Sequence, residues 1–472
     1  MMLTALRTIS TRLAVAAALL AGGAVGAGAL LAQPAAGAEG GVNVNSIAAP
    51  SVAAASALGP HWLRMFVVWK DVEPARGAHD AGWLEKYDSA LSSLPKGTKA
   101  ILDFVGAPPW ESGSGASNAP PRSPADYAAA LHFLAQRWAG RVGAYEIWNE
   151  EDASAWWAGG PDPGSYTRVL QSAYTAVKSA DPSAAVVLGG LTGNDYGFLQ
   201  GVYEAGGKGY FDAVGVHTDT ACNVASPYEF LREANGRLFQ NSFLAYREVH
   251  ATELANGDEK PIWMTELSWR TTSATCPEGA WAGQKPEGVT ESQQATYLAQ
   301  AYHCLAGDPY VQVALWYPLI DEGAVVSGLM RANGSHKPAY AAMSSYLKSG
   351  DQLGEPCGDF AGPQITLYRP TNGLRYTGYL KIKVKASDAQ GIRRIRVFYD
   401  GHLIRNWVPY LFTHTYPRVS MAEMLWFGAR KLAVGRHVLT IVAIDKLQNS
   451  SSAHLTIVHR REGGGRRGRR HH

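Results

Sequence analysis

Two glutamates, Glu150 and Glu266, stand where apolar stretches of the sequence end. The first closes Tyr-Glu-Ile-Trp-Asn-Glu at residues 145–150, and the second lies in Ile-Trp-Met-Thr-Glu-Leu-Ser-Trp at residues 262–269. Two carboxyl groups about 5 to 5.5 Å apart can cleave a glycosidic bond, one as nucleophile and the other as acid and base. A single glutamate at a strand end is often only a solvated loop residue. The chemistry therefore requires a fold that brings the two together.

The stretches around these glutamates belong to a series of short apolar runs that alternate with longer amphipathic ones. This alternation predicts repeated βα units around a parallel sheet. The predicted strands are residues 41–45, 62–69, 100–106, 144–150, 185–191, 212–218, 261–269 and 311–319. Eight such units favour an α/β fold that closes into a (β/α)₈ TIM barrel, whose chemistry gathers at the C-terminal ends of the strands. Both glutamates are then at the same mouth.

The motifs Trp-Asn-Glu on strand four and aromatic-x-Thr-Glu on strand seven resemble those of the clan A glycoside hydrolases, which include families 5 and 39. The resemblance spans residues 60–348 and implies a retaining mechanism that needs no cofactor. It implies that Glu150 is the catalytic acid and base, that Asn149 binds the sugar 2-hydroxyl, and that Glu266 is the nucleophile.

Two further residues take their roles from this resemblance. Arg64 on strand two is expected to face Glu266 and to favour its ionised form, while a more apolar setting keeps Glu150 protonated. Trp316 at the end of strand eight takes the place of an aromatic platform beneath the sugar. The alternatives are an ion pair with a surface carboxylate for Arg64 and burial in the barrel wall for Trp316.

Strand six departs from the clan pattern. Clan members often carry His-x-Tyr there, with the tyrosine bonded to the nucleophile, whereas this chain reads His-Thr-Asp at residues 217–219. We still expect His217 to contact the substrate, with a structural hydrogen-bonding role as the alternative. Asp219 either adds negative charge near the two glutamates or points away from them.

The loops after strands three and four carry aromatic residues that are placed to line a sugar-binding cleft or to cap the barrel, namely Trp110, Trp156 and Trp157.

The composition changes along the chain and predicts five segments. They are a signal peptide at 1–38, the barrel at 39–350, a linker at 351–362, a small all-β sandwich at 363–460 and a disordered basic tail at 461–472. Arg7 and Arg12 precede a long apolar run that ends in small residues, which is typical of export, and an uncleaved anchor is the alternative. Period-two strands at 380–384, 395–399, 437–444 and 454–458 give the sandwich its resemblance to bacterial immunoglobulin-like modules.

Four cysteines lie in the exported part, at positions 222, 276, 304 and 357. An oxidising compartment favours two disulfides, although the sequence leaves the pairing open. The spacings of these cysteines do not fit a zinc site, and no His/Asp cluster has metal spacing, so we predict no metal.

The formal net charge of +3 provides no bulk attraction to nucleic acid. The resemblance and the export signal together imply a secreted, monomeric retaining glycoside hydrolase whose partner is a carbohydrate substrate. Its basic C-terminal region is a candidate for holding an anionic cell-envelope polymer, which would place the protein at the cell surface. The alternative is a non-catalytic carbohydrate-binding or wall protein on the same scaffold. The sugar, the linkage and endo or exo action are not determined by the sequence.

Overall fold

The computed structural model describes residues 37–114, 116, 118–218, 222, 226–277, 282–284, 286–408, 419–428 and 432–461. The predicted signal peptide and basic tail lie almost wholly outside these residues, as does Asp219. No helix in the described part of the chain is long and apolar enough to cross a membrane.

Eight parallel strands form a closed barrel in sequence order, because the last strand pairs with the first. The strands are β1 (Glu39–Val44), β2 (Trp62–Val68), β3 (Lys99–Val105), β4 (Ala144–Asn149), β5 (Ala185–Thr192), β6 (Ala213–Thr218), β7 (Ile262–Leu267) and β8 (Val311–Trp316). The TIM-barrel prediction is confirmed, with small differences at the strand ends.

Helices follow the barrel strands along the chain. They are α1 (Ala49–Leu58), α2 (Trp69–Val72), α3 (Ala81–Ser92), α4 (Pro109–Ser112), α5 (Pro124–Arg137), α6 (Pro163–Ala180), α7 (Tyr196–Glu204), α8 (Tyr246–Ala255), α9 (Glu291–Gly307) and α10 (Pro338–Ser349). The start of α6 follows local sequence rules. At α6, Asp162 accepts hydrogen bonds from the amides of Gly164 and Ser165, and Pro163 occupies the first turn.

Alternation along the strands divides the barrel interior into layers. A buried apolar layer fills the lower part and consists of Trp62, Ile101, Ala144, Val187, Ala213, Trp263, Val313 and Leu315, with Ala185 packed against it. Residues two positions further along a strand point to the same side, so Arg64, Asp103, Glu146 and Thr265 form the layer above it. Beside the apolar layer, β1 needs glycine at Gly41, because a Cβ there would lie 2.2 Å from the carbonyl oxygen of Trp62.

The C-terminal part contains a five-stranded sheet of order β10-β16-β15-β12-β13 and a three-stranded sheet of order β14-β11-β9. Its strands are β9 (Gln364–Arg369), β10 (Arg375–Tyr376), β11 (Tyr379–Ser387), β12 (Ile392–Tyr399), β13 (His402–Trp407), β14 (Ser420–Gly428), β15 (Gly435–Asp445) and β16 (Ser450–His459). An apolar core that includes Leu380, Ile395 and Ile441 draws on both sheets. The predicted all-β domain is confirmed.

The four cysteines form two disulfides, which confirms the prediction and supplies the pairing. Cys222 is bonded to Cys276, and Cys304 is bonded to Cys357. The first joins the loops that follow β6 and β7, and the second joins α9 to the segment after α10.

Candidate active site

The end of β4 has an unusual backbone that turns its last side chains into the barrel mouth. Trp148 and Glu150 have φ angles of 70° and 49°, a region that residues other than glycine rarely adopt. Between them, the Asn149 side chain accepts a hydrogen bond from Arg64 at 2.8 Å. Such backbone conformations persist where the surrounding structure holds them, and they concentrate at functional sites.

Arg64 is the centre of a buried ionic layer beneath the mouth. Its guanidinium is 1% exposed and contacts Glu146, Asp103 at 2.7 Å and Glu266 at 2.6 Å. It also donates to the side-chain oxygens of Asn43 and Asn149. Burial opposes the charged form, but the surrounding carboxylates raise the pKa of Arg64 above its ordinary value. Arg64 therefore stays positively charged and holds the ends of β4 and β7 together.

Glu150, His217 and Glu266 meet directly above Arg64. Nδ1 of His217 lies 2.9 Å from Oε1 of Glu150 and 3.9 Å from Oε2 of Glu266. The three side chains offer ligand-type atoms that all lie within 4.8 Å of one another. The strand ends at β4, β6 and β7 thus bring the two predicted catalytic carboxyls and the predicted histidine into one cluster.

The hydrogen bonds below His217 fix one of its protons. The hydroxyl of Thr265 donates to Glu146 at 2.7 Å, so it accepts from Nε2 of His217 at 3.2 Å. Since Nε2 carries a proton, Nδ1 either donates a second proton to Glu150 or accepts the proton of a neutral Glu150. One proton is therefore shared between His217 and Glu150.

The charge state of the unliganded site differs from the predicted one. Burial opposes protonation of His217, but the charge of Glu266 and the hydrogen bond with Glu150 raise its pKa to about 9. Burial raises the pKa of Glu150, but His217 and Arg64 outweigh it and lower the pKa overall. Burial raises the pKa of Glu266 in spite of both cations. The shared proton therefore rests on His217. The sequence did not reveal this charge state, because the contact joins residues from different strands.

The same three residues are of types that can hold a metal ion, a cluster that the sequence spacing did not reveal. A metal-bound imidazole is neutral at the ligating nitrogen. Here His217 favours its protonated form, and Arg64 already places a positive charge 2.6 Å from Glu266. The positive charge of Arg64 opposes a divalent cation at the Glu266 carboxylate.

A cavity of about 210 Å³ opens above the cluster. Glu150, His217 and Glu266 form its base, and its walls come from the ends of β5, β6, β7 and β8 and the loops that follow them. The wall residues include Thr192, Asn241, Ser268, Arg270, Tyr317 and Ser327. These groups offer hydrogen-bonding side chains around a small polar ligand.

Trp316 does not occupy the position that the sequence analysis gave it. It is fully buried outside the barrel, where its indole N–H donates to the carbonyl of Ser327 at 2.8 Å and its ring lies 6.2 Å from that of Trp269. Val313 and Leu315 point into the barrel, so alternation sends Trp316 outwards and turns the next residue inwards. Tyr317 is the aromatic residue of β8 that lines the cavity.

The loop tryptophans take different positions. Trp110 packs edge-on against Trp69 with Arg76 over its ring, and it does not line the cavity. Trp157 is buried in the core. Trp156 lies beside Glu150, where its side chain helps to lower the pKa of that carboxyl, and its ring stacks on Phe66 at 6.0 Å. Trp156 is thus the loop tryptophan beside the cluster of Glu150, His217 and Glu266.

Several residues of the site were not identified from the sequence. They are Asn43, Glu146, Thr265, Asn241 and Tyr317. The first three point into the barrel in register with Arg64, so strict period-two counting along each strand could have found them. Asn241 comes from the long loop between β6 and α8, where no period exists to guide a prediction.

Known structures share this architecture. A family 39 glycoside hydrolase from Bacteroides cellulosilyticus WH2 aligns over 83% of this chain and 80% of its own, with 19% identity and a TM-score of 0.54. A family 5 subfamily 18 protein from Streptomyces cattleya, solved with GlcNAc, covers 73% and 85% with 16% identity and a TM-score of 0.51. A monomeric β-xylosidase from Caulobacter crescentus CB15 covers 83% and 96% with 15% identity and a TM-score of 0.50.

The chain shares the barrel fold of these glycosidases. Residues 363–441 match the family model of a bacterial Ig domain, which confirms the predicted identity of the C-terminal domain. No curated protein sequence matches the chain. At these identities the solved structures establish the shared fold alone.

Proposed function

We propose that this protein is an exported retaining glycoside hydrolase with Glu266 as nucleophile and Glu150 as acid and base. The observation that carries the proposal is the close approach of the two carboxyl groups at the ends of β7 and β4, where one oxygen of Glu266 lies within 4.8 Å of one oxygen of Glu150. A retaining mechanism needs about 5 to 5.5 Å between the carboxyls, whereas an inverting one needs about 6.5 to 9.5 Å to admit a water. Two disulfides support export to an oxidising compartment.

The reaction takes two displacements. Glu266 attacks the anomeric carbon while Glu150 protonates the departing glycosidic oxygen, and a covalent glycosyl-enzyme forms. Glu150 then takes a proton from water, which attacks the anomeric carbon and releases Glu266. Arg64 stabilises the anion of Glu266 at the start and at the end of the cycle, and Asn149 is oriented by the same guanidinium at 2.8 Å.

The first step requires a protonated Glu150 beside an ionised Glu266. The proton on His217 must therefore move to Glu150. Their 2.9 Å contact allows this transfer. A leaving-group oxygen near Glu150 favours this transfer. His217 thus acts as a positioning residue that holds the proton until the substrate is bound.

The proposal is tested by a hydrolysis screen of aryl and polymeric glycosides with purified protein that begins at residue 39. The anomeric configuration of the first-formed product is followed by proton NMR. We expect a hydrolysed substrate whose product keeps the configuration of the substrate. Glu150→Gln/Glu266→Gln protein from the same preparation controls for contaminating activity. An inverted product, or no hydrolysis of any glycoside, contradicts the proposal.

His217→Gln should move the alkaline limb of the pH profile of kcat/KM towards lower pH by more than about one unit. In the native site the shared proton is retained up to the pKa of His217, about 9. Without the imidazole, Glu150 alone must hold that proton, and a carboxyl loses it at lower pH. A uniform loss of activity with an unmoved alkaline limb would show that His217 has only a structural role.

A further inference from the structure

The outer face of the three-stranded sheet in the C-terminal domain carries large side chains in solvent. Tyr368 is 50% exposed, Tyr379 56%, Met424 52% and Trp426 57%. The opposite face of the same sheet is buried, since Leu380 and its inward-facing neighbours belong to the domain core. Exposed apolar groups that cluster on one face of a soluble domain mark an interaction surface.

Lysines lie between these aromatic rings on the same face. Alternation along β11 turns Lys381, Lys383 and Lys385 outwards, while Leu380 and Ile382 turn into the core. The ammonium of Lys381 lies 4.9 Å from the ring centre of Trp426, and that of Lys383 lies 5.2 Å from the ring centre of Tyr368. We call this face, defined by Tyr368, Lys381, Lys383 and Trp426, the lysine–aromatic face.

The two ring–ammonium pairs are spaced for an extended ligand. Lys381 and Lys383 are two residues apart on one strand, which separates them by about 7 Å. Trp426 and Tyr368 lie on the two strands that flank β11, about 10 Å apart across the sheet. A chain of several units can reach both pairs, whereas a single small ligand reaches one.

The charge of the domain selects the sign of that ligand. Residues 363–460 contain 15 lysines and arginines but four acidic residues, whereas residues 39–362 contain 35 acidic and 21 basic residues. In the described strands β9, β11 and β14, no acidic side chain points to the lysine–aromatic face. The attraction for an anionic polymer is therefore concentrated in the C-terminal domain and opposed by the barrel.

We propose that the lysine–aromatic face binds an anionic polysaccharide whose sugar rings carry carboxylates. Each ammonium lies over its ring without ligand, as a cation–π pair. On binding, the flexible lysine side chain moves aside to pair with the carboxylate of a sugar unit, and the apolar face of that unit stacks on the ring. Each pair thus supplies both contacts that an acidic sugar needs. This function goes beyond the hydrolysis proposed for the barrel and does not depend on it.

The binding experiment uses polygalacturonate immobilised on a biosensor surface and the protein with all its residues from 39 to 472. Fully methyl-esterified polygalacturonate, which has the same backbone without the charge, is the matched ligand. Leu403→Ala is the matched protein control, because Leu403 is 54% exposed but lies on the other sheet. The basic tail is present in every variant and contributes equally.

We expect Trp426→Ala/Tyr368→Ala to raise the Kd for polygalacturonate by about tenfold or more, with no change for Leu403→Ala. Lys381→Gln/Lys383→Gln should raise the Kd for the acidic polymer by a similar factor and leave the weaker binding of the esterified polymer unchanged. The variants should unfold at the wild-type temperature, because the replaced side chains are exposed.

Three results would overturn the proposal. The first is that wild-type protein does not bind polygalacturonate at low salt. The second is that both double variants bind as wild type does, which would assign binding to the tail or to another surface. The third is equally tight binding of single-stranded DNA that depends on the same four residues, which would identify the face as a nucleic-acid platform.

Discussion

Glu266→Ala should lower the rate of hydrolysis of an activated aryl glycoside by about 10⁴- to 10⁶-fold, as removal of a catalytic nucleophile does in other enzymes. The alanine leaves a space at the carboxyl position above Arg64. Sodium azide can enter that space and attack the anomeric carbon directly. The product should be a glycosyl azide of inverted configuration, measured by NMR, because one displacement replaces two.

Two further variants distinguish the loss of a catalytic role from general damage to the fold. Glu150→Ala should also respond to azide when the leaving group is activated, but the glycosyl azide should keep the configuration of the substrate, because azide then replaces the base-activated water. Glu85→Ala removes an exposed carboxylate on α3 and should be as active as wild type. Full activity of Glu266→Ala, or azide products of the same configuration from both variants, would disprove the assignment.

The barrel could be predicted because its strands are buried on both faces and read as short apolar runs. In the C-terminal domain, only strands with a clear polar and apolar alternation were found, such as β11 and β15. β14 was missed because its outward face carries Met424 and Trp426, which removes the alternation. β13 lies at a sheet edge and is largely exposed, so its sequence carries little periodic signal.

The position of the candidate site could also be predicted, because polar residues at strand ends converge in a TIM barrel. Strand register decides which of the adjacent aromatics Trp316 and Tyr317 faces the cavity. Because Leu315 points into the barrel, Tyr317 also points inwards and Trp316 points outwards. The charge states could not be predicted. They depend on the 2.9 Å contact between His217 and Glu150, which joins residues from different strands.

Arg64→Met should reduce both stability and activity more than any other single change outside the catalytic pair. The variant leaves Asp103 and Glu146 fully buried without their cation. Removal of one partner from a buried ion pair costs about 3 to 5 kcal/mol in the free energy of unfolding. Urea denaturation measures this loss. Arg76→Met, which breaks an exposed pair with Asp126, should cost less than about 1 kcal/mol.

The loss in Arg64→Met should grow as the pH rises. Burial already raises the pKa of Asp103, and Arg64 opposes that shift, so its removal raises the pKa further. A carboxyl whose pKa is higher in the folded than in the unfolded state stabilises the fold less as the pH rises through that interval. Urea curves at pH 5 and pH 8 should therefore show the larger loss at pH 8, and equal losses would contradict this account.

The loss of the Arg64 charge should also change the pH dependence of activity, through its effect on the pKa of Glu266. Removal of a positive charge 2.6 Å from this carboxyl raises its pKa, so the acidic limb of kcat/KM should move to higher pH while the maximum falls by about 10² or more. Adding Asp103→Asn to Arg64→Met removes one of the unpaired carboxylates and should recover part of the lost stability. It should not recover activity, because the cation beside Glu266 is still absent. Recovery of both would mean that Arg64 serves only the fold.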